Sequence, residues 1–185
     1  IEWLAESLAA YSKLNDAQRV AMLHMELGMT YFSTGRYDQA STHYNRALDH
    51  WRETVNVAQQ ANVLNNLGVL HHLRGDYEQA DVLLEEALAC ADQSGYTRVK
   101  VAALASISDL YDDLDAIDAA LAACRQAHEI AQRIDDRFLL LYLSLAEAAL
   151  VRSKGEMVQA RDLLDSAKDL VLQSTSDFEQ GLYEL

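Results

Sequence analysis

The feature that most constrains this chain is its agreement with itself at an offset of 40 residues. At that shift Leu27-Gly28 falls on Leu67-Gly68, Gly35 on Gly75, Tyr37 on Tyr77, Gln39-Ala40 on Gln79-Ala80, and Ala47-Leu48 on Ala87-Leu88. Two further shifts stay in register without an insertion. Ala40 and Ala80 continue as Ala120 and Ala160, Ala47 and Ala87 as Ala127 and Ala167, and Gly35 and Gly75 as Asp115 and Gly155. A fixed period of this length is the mark of a stacked array in which each unit buries its apolar face only against its neighbours.

Within a unit the apolar residues follow helical spacing twice. Val63, Leu64, Leu67 and Leu70 form one face; after Arg74-Gly75-Asp76 a second follows with Ala80, Leu83, Leu84, Ala87 and Leu88. Gly75 supplies the left-handed residue that ends a helix, and Asp115 tolerates the same conformation. Turns this short force the paired helices to run antiparallel and pack directly. The spacing predicts helices over 17–34 and 37–53, 57–74 and 77–93, 97–114 and 117–134, and 137–154 and 157–173. Small residues at Gly28, Gly68, Ser108 and Ala148, facing Ala40, Ala80, Ala120 and Ala160, allow close approach. Replacing Gly28 by Leu should therefore wedge a pair apart.

The expected organisation is a single solenoid over 1–185. Residues 1–16 read as the second helix of a preceding repeat, because Leu8 aligns with Leu48. Four repeats follow at 17–56, 57–96, 97–136 and 137–176, and 177–185, from Phe178, begin a further helix. The start Ile1-Glu2-Trp3-Leu4 has neither an initiator Met nor a signal-peptide layout, so the chain reads as an excised fragment.

Composition narrows the function classes. The 185 residues contain no Pro and carry 29 acidic against 15 basic groups, a formal charge of −14. Without a basic cluster, nucleic acid and anionic membrane are not expected partners. The longest apolar run, Phe138 to Val151, is broken by Glu147 and reads as a buried helix. Cys90 and Cys124 lie inside predicted helices without metal-ligand spacing, which predicts buried, reduced thiols and a cytoplasmic setting. Six histidines, His24, His43, His50, His71, His72 and His128, invite a catalytic or metal reading. His71 and His72 diverge by about 100 degrees around a helix and cannot share one ion. With no H-E-x-x-H, phosphate loop or nucleophile elbow, neither enzyme, metal nor cofactor is expected.

Leu27, Gly28, Tyr31, Gly35, Tyr37, Ala40 and Ala47, repeated as Leu67, Gly68, His71, Gly75, Tyr77, Ala80 and Ala87, resemble the tetratricopeptide repeat pattern. The third unit, with Ile107, Ser108, Tyr111, Asp115, Ile117, Ala120 and Ala127, is degenerate but in phase. The fourth keeps Ala148, Gly155, Ala160 and Ala167. The period exceeds the usual 34, and the closing Pro is replaced by Arg52 and Asp92. This resembles the longer repeats of MalT-type regulators and of Pins and kinesin-light-chain scaffolds.

The resemblance implies an all-α, right-handed α-α superhelix whose first helices line a concave groove. Carried onto this sequence, the groove is Met22, Met25, Met29 and Phe32; Asn62, Asn65, Val69 and His72; Ala102, Ala105, Asp109, Asp112 and Asp113; and Tyr142, Leu145, Ala149 and Arg152. Met adapts to apolar anchors, Asn serves a peptide backbone, and the aspartates suit Lys or Arg. The expected partner is a protein or peptide with apolar and basic residues, held by a module of a larger regulator. A structural, self-associating scaffold and a small-ligand sensor are the alternatives. A chaperone-tail carboxylate clamp is not expected, because of Met25, Met29, Asn66, Ala102 and Ser106 only Asn66 fits it.

Overall fold

The structure is a computed structural model that describes residues 1–172, with side chains to residue 168. Among the described residues it is all helix: α1 (Glu2–Lys13), α2 (Ala17–Ser33), α3 (Tyr37–Glu53), α4 (Val57–Leu73), α5 (Tyr77–Ser94), α6 (Thr97–Asp113), α7 (Ile117–Arg133), α8 (Arg137–Ser153) and α9 (Met157–Leu172). First helices start at 17, 57, 97 and 137 and second helices at 37, 77, 117 and 157, so the 40-residue period of the sequence is the period of the backbone. The further helix expected from Phe178 lies outside the described residues.

Helices α1 to α8 end in the same way. Left-handed residues fall at Gly35, Gly75, Asp115 and Gly155, as the repeat predicts, and a second series falls at Asn15, Val55, Gly95 and Asp135. Beyond each, a backbone N–H reaches back to a carbonyl in the last turn: Arg36 to Tyr31 at 2.8 Å, Asn56 to Trp51 at 2.9 Å, Ala116 to Tyr111 at 2.8 Å. This long backward bond satisfies carbonyls that the helix leaves unpaired. Three of the first helices begin on a side-chain cap, Asp16 accepting from the Arg19 N–H, Asn56 from that of Gln59 and Asp136 from that of Leu139.

The chain divides into two compact units, with the division between Val99 and Lys100. In the first, α2 packs on α3, α3 on α4 and α4 on α5, while α1 lies on α2 without a buried residue of its own. Its core is built from Leu27, Tyr44, Ala47 and Trp51, then Leu64, Leu67, Leu70, Leu84 and Ala87. Removing a side chain such as Leu or Ile from water stabilises by about 1.5–3 kcal/mol. A Cβ on Gly28 would lie 2.5 Å from the Tyr44 ring, and one on Gly68 would lie 2.6 Å from Leu84. The glycines are thus required by packing as well as permitted by conformation.

In the second unit α7 packs on α8 and α8 on α9. The apolar run read as a buried helix is α8, with Leu140, Leu141, Leu143, Leu150 and Val151 inside. Here Ser108 stands at the glycine position, donating to the Ala120 carbonyl at 3.0 Å. The residue equivalent to Tyr44 and Leu84 is Cys124, small enough to accept the added Cβ. Ion pairs repeat as well: Arg74 with Asp38 in the first unit, and Lys154 with Asp118 at 2.8 Å in the second, stand at positions 80 residues apart. Both are exposed on at least one side and contribute little to stability.

Candidate functional site

The groove residues expected from the sequence fall into two groups, one on each unit. On the first unit, Met22 and Met29 are 48% and 47% exposed although both are large and apolar. They stand seven residues apart on α2, which places them on one face. Met25 is half-buried between them, and Phe32 closes the row with its ring 5.8 Å from that of Tyr37. Met22 also lines a recess of about 600 Å3 with Tyr11, Gln18, Arg19, Leu23 and Glu26.

Helix α4 continues this surface with Asn62, Asn65, Val69 and His72, all half-buried. The side-chain oxygen of Asn65 is shielded and meets no donor. His72 stands against Tyr77 with ring centroids 5.9 Å apart, repeating the contact of Phe32 with Tyr37 one unit earlier. The first unit therefore offers a methionine row beside an amide row, each closed by a pair of rings.

On the second unit Asp109, Asp112 and Asp113 are exposed on α6. Asp109 accepts a hydrogen bond from the Tyr142 hydroxyl at 2.9 Å, so these two expected ligand residues hold each other from α6 to α8. Burial, and then the adjoining Asp109 carboxylate, push the Tyr142 hydroxyl above its ordinary pKa. Leu145 packs against Leu141 and Ala167 at the edge of the core, while Ala149 and Arg152 are exposed. Ala102 is half-buried and Ala105 is buried, so Ala105 serves packing.

Two polar clusters in the interior were not read from the sequence as sites. In the first unit the Nδ1 atoms of His24 and His43 approach to 2.8 Å. In the second, the buried carboxylate of Glu147 accepts from Arg125 Nε at 2.8 Å and faces His128 Nδ1 at 3.4 Å. His128 and Arg125 hold Glu147 below the usual carboxylate range against the opposing effect of burial. A signal for both was present. Glu147 occupies the position of Leu27, Leu67 and Ile107, and His24 and His43 occupy those of Leu64 and Leu83. A polar residue at an otherwise apolar column of the repeat is the feature to seek. Cys124 is fully buried, and burial pushes its thiol up to about 12, which leaves it an inert packing residue. Among the described residues no three His, Cys, Asp or Glu side chains converge as a metal site, and no helix is long and apolar enough to cross a membrane.

Residues 18–93 match the tetratricopeptide repeat family model. That segment is a tetratricopeptide repeat array. The remaining repeats share the fold, that of a tetratricopeptide-like helical solenoid. A curated relative, response regulator aspartate phosphatase J of Bacillus subtilis (strain 168), is 26% identical over 152 residues, or 78% of this chain and 40% of its own. The chain thus spans about two-fifths of the length of that relative. Among solved structures, aspartyl phosphate phosphatase F from Bacillus subtilis superposes with a TM-score of 0.90 at 10% identity, covering 100% of this chain and 48% of that one. A kinesin light chain repeat protein of Podosopora anserina gives 0.70 at 16% identity, covering 91% and 84%. At these identities the likeness establishes the tetratricopeptide-like fold.

Proposed function

We propose that this chain is a protein-interaction scaffold whose first-helix faces hold a segment of another protein. The observation that carries the reading is the outward pair Met22 and Met29, two adaptable apolar side chains on one face of a helix, beside the amides of Asn62 and Asn65. Thioethers fit apolar anchors of varied shape, and amides donate and accept at once, which suits a peptide backbone. The charge of −14 favours Lys and Arg in the partner. The resemblance to proteins named as phosphatases does not change this reading. The chain spans less than half of them, so the activity in their names is not carried over to it.

The test is selection from a displayed random-peptide library on the immobilised chain. Enrichment of peptides joining apolar residues to Lys or Arg is expected, and Asn62→Ala with Asn65→Ala should weaken the selected peptides about tenfold or more, the loss of one to two hydrogen bonds. Unchanged affinity in that variant would remove the groove assignment. Self-association is the second reading. Light scattering at increasing concentration separates the two, since a concentration-independent mass near 20.7 kDa counts against it.

A further inference from the structure

The first repeat carries a polar pair in its interior where the second carries an apolar one. Where α4 and α5 bring Leu64 and Leu83, α2 and α3 bring His24 and His43. Leu64 is fully buried and Leu83 nearly so, while His24 is 8% exposed and His43 half-buried. The two imidazoles meet through Nδ1 atoms 2.8 Å apart, with ring centroids at 5.0 Å. The Tyr31 ring stacks on His43 with centroids 5.3 Å apart.

A hydrogen bond between two Nδ1 atoms requires one ring to donate and the other to keep its lone pair. A neutral pair satisfies this, and so does a pair carrying one extra proton. A pair carrying two does not, because both nitrogens are then donors at hydrogen-bond distance. We infer that His24 and His43 form an acid-sensitive joint between α2 and α3, closed while one ring retains its lone pair and opened when both are protonated.

The surroundings reinforce this sign. Burial, then His43, then Arg46 depress His24 to about 4 from an ordinary 6.5. Burial and Arg46 also lower His43. Arg46 comes from α3 and the stacking Tyr31 from α2; no carboxylate of α1, α2, α3 or α4 is among the groups that shift either ring. The positive Arg46 also opposes capture of a metal cation by the two nitrogens. A base whose folded pKa is lowered contributes stability that is complete above its unfolded pKa and is lost as pH falls from there toward the folded value. The window therefore runs from about 6.5 down to about 4. Helix α2 also carries Met22 and Met29, so loosening its seat on α3 disturbs the methionine face before the Leu64–Leu83 pair of the next repeat responds.

The test is a histidine-resolved magnetic resonance titration of the whole chain, combined with amide hydrogen exchange corrected for intrinsic rates. One ring of the pair should titrate well below 6.5. Local opening of α2 and α3 should rise about tenfold between pH 7.5 and 5.5, where most carboxylates remain charged, while α4 and α5 stay constant. The variant His24→Leu with His43→Leu copies the pair of the next repeat and should lose that pH dependence. Both rings titrating near 6.5, equal responses of the two helix pairs, or a pH dependence surviving in the Leu variant would each overturn the inference. Should the variant fail to fold, the wild-type titration and exchange decide the matter alone.

Discussion

Gly28→Ala adds one methyl group at the tightest contact between α2 and α3. On helix propensity alone the change should stabilise by about 0.5–1 kcal/mol, since Gly is the poorer residue inside a helix. The structure predicts the opposite. The new Cβ would lie 2.5 Å from both Cδ1 and Cε1 of Tyr44 and 3.1 Å from its Cγ, against about 3.5–4.0 Å for a carbon contact at rest. Tyr44 is almost completely buried and cannot swing into solvent. Overpacking of this kind costs about 1–3 kcal/mol. With the clash near the upper end, the net loss is about 1–2 kcal/mol, or roughly 2–8 °C in Tm for a chain of this size. Thermal and urea unfolding followed by far-ultraviolet circular dichroism measure it. An unchanged or raised Tm would refute the claim that close approach, and not conformation, selects glycine here. The third repeat supplies a control: Ser108→Ala keeps the Cβ facing the smaller Cys124, so its cost should be limited to the bond to Ala120, about 0.5–1.5 kcal/mol.

Other substitutions separate the remaining parts of the account. Val55 is β-branched, left-handed at φ 54 and 74% exposed, so Val55→Asn should remove strain without losing packing and raise stability by about 1 kcal/mol in urea melts; no gain would show that the turn is relaxed. Glu147→Ala removes the buried partner of Arg125 and His128 and should cost about 1–3 kcal/mol, since Arg125 is half exposed and stays solvated, whereas Glu147→Leu with His128→Leu restores the column of the other repeats and should recover most of it. Because the folded pKa of Glu147 is depressed, its share of stability is present above the ordinary carboxylate value of 4.5 and disappears as pH falls through the lower folded one. A wild-type acid melt that tracks the double variant below 4.5 would contradict this. Cys124 should react with iodoacetamide at the rate of global unfolding and Cys90 faster, since only Cys90 is partly exposed; equal rates would mean that the second unit opens locally.

The fold was legible because repetition multiplies a weak signal. A single Gly or Ala says little, but Gly28, Gly68, Ser108 and Ala148 recurring in step mark close approach, Gly35, Gly75, Asp115 and Gly155 mark the helix ends, and the predicted ends of α2 to α8 lie within a residue of the observed ones. The second series of left-handed turns was less visible because it uses Asn15, Val55, Gly95 and Asp135, four residues of which Val announces no turn at all. The same averaging hid the interior polar pairs. In the sequence Glu147 stands as a break in an apolar run and only His71 and His72 are adjacent, while His24 meets a residue 19 positions away. Of the acidic surface, Asp109 is engaged by Tyr142, a contact that depends on how α6 and α8 pack and that no spacing reveals.

The most direct measurement is a titration of a library-selected peptide into the isotope-labelled chain, with amide shifts followed residue by residue. Shifts at Met22, Met25, Met29, Asn62, Asn65 and Val69, with Val82 on the opposite helix row silent, are the predicted result. Shifts gathered on the second helices, with the methionine and asparagine faces unmoved, would contradict it.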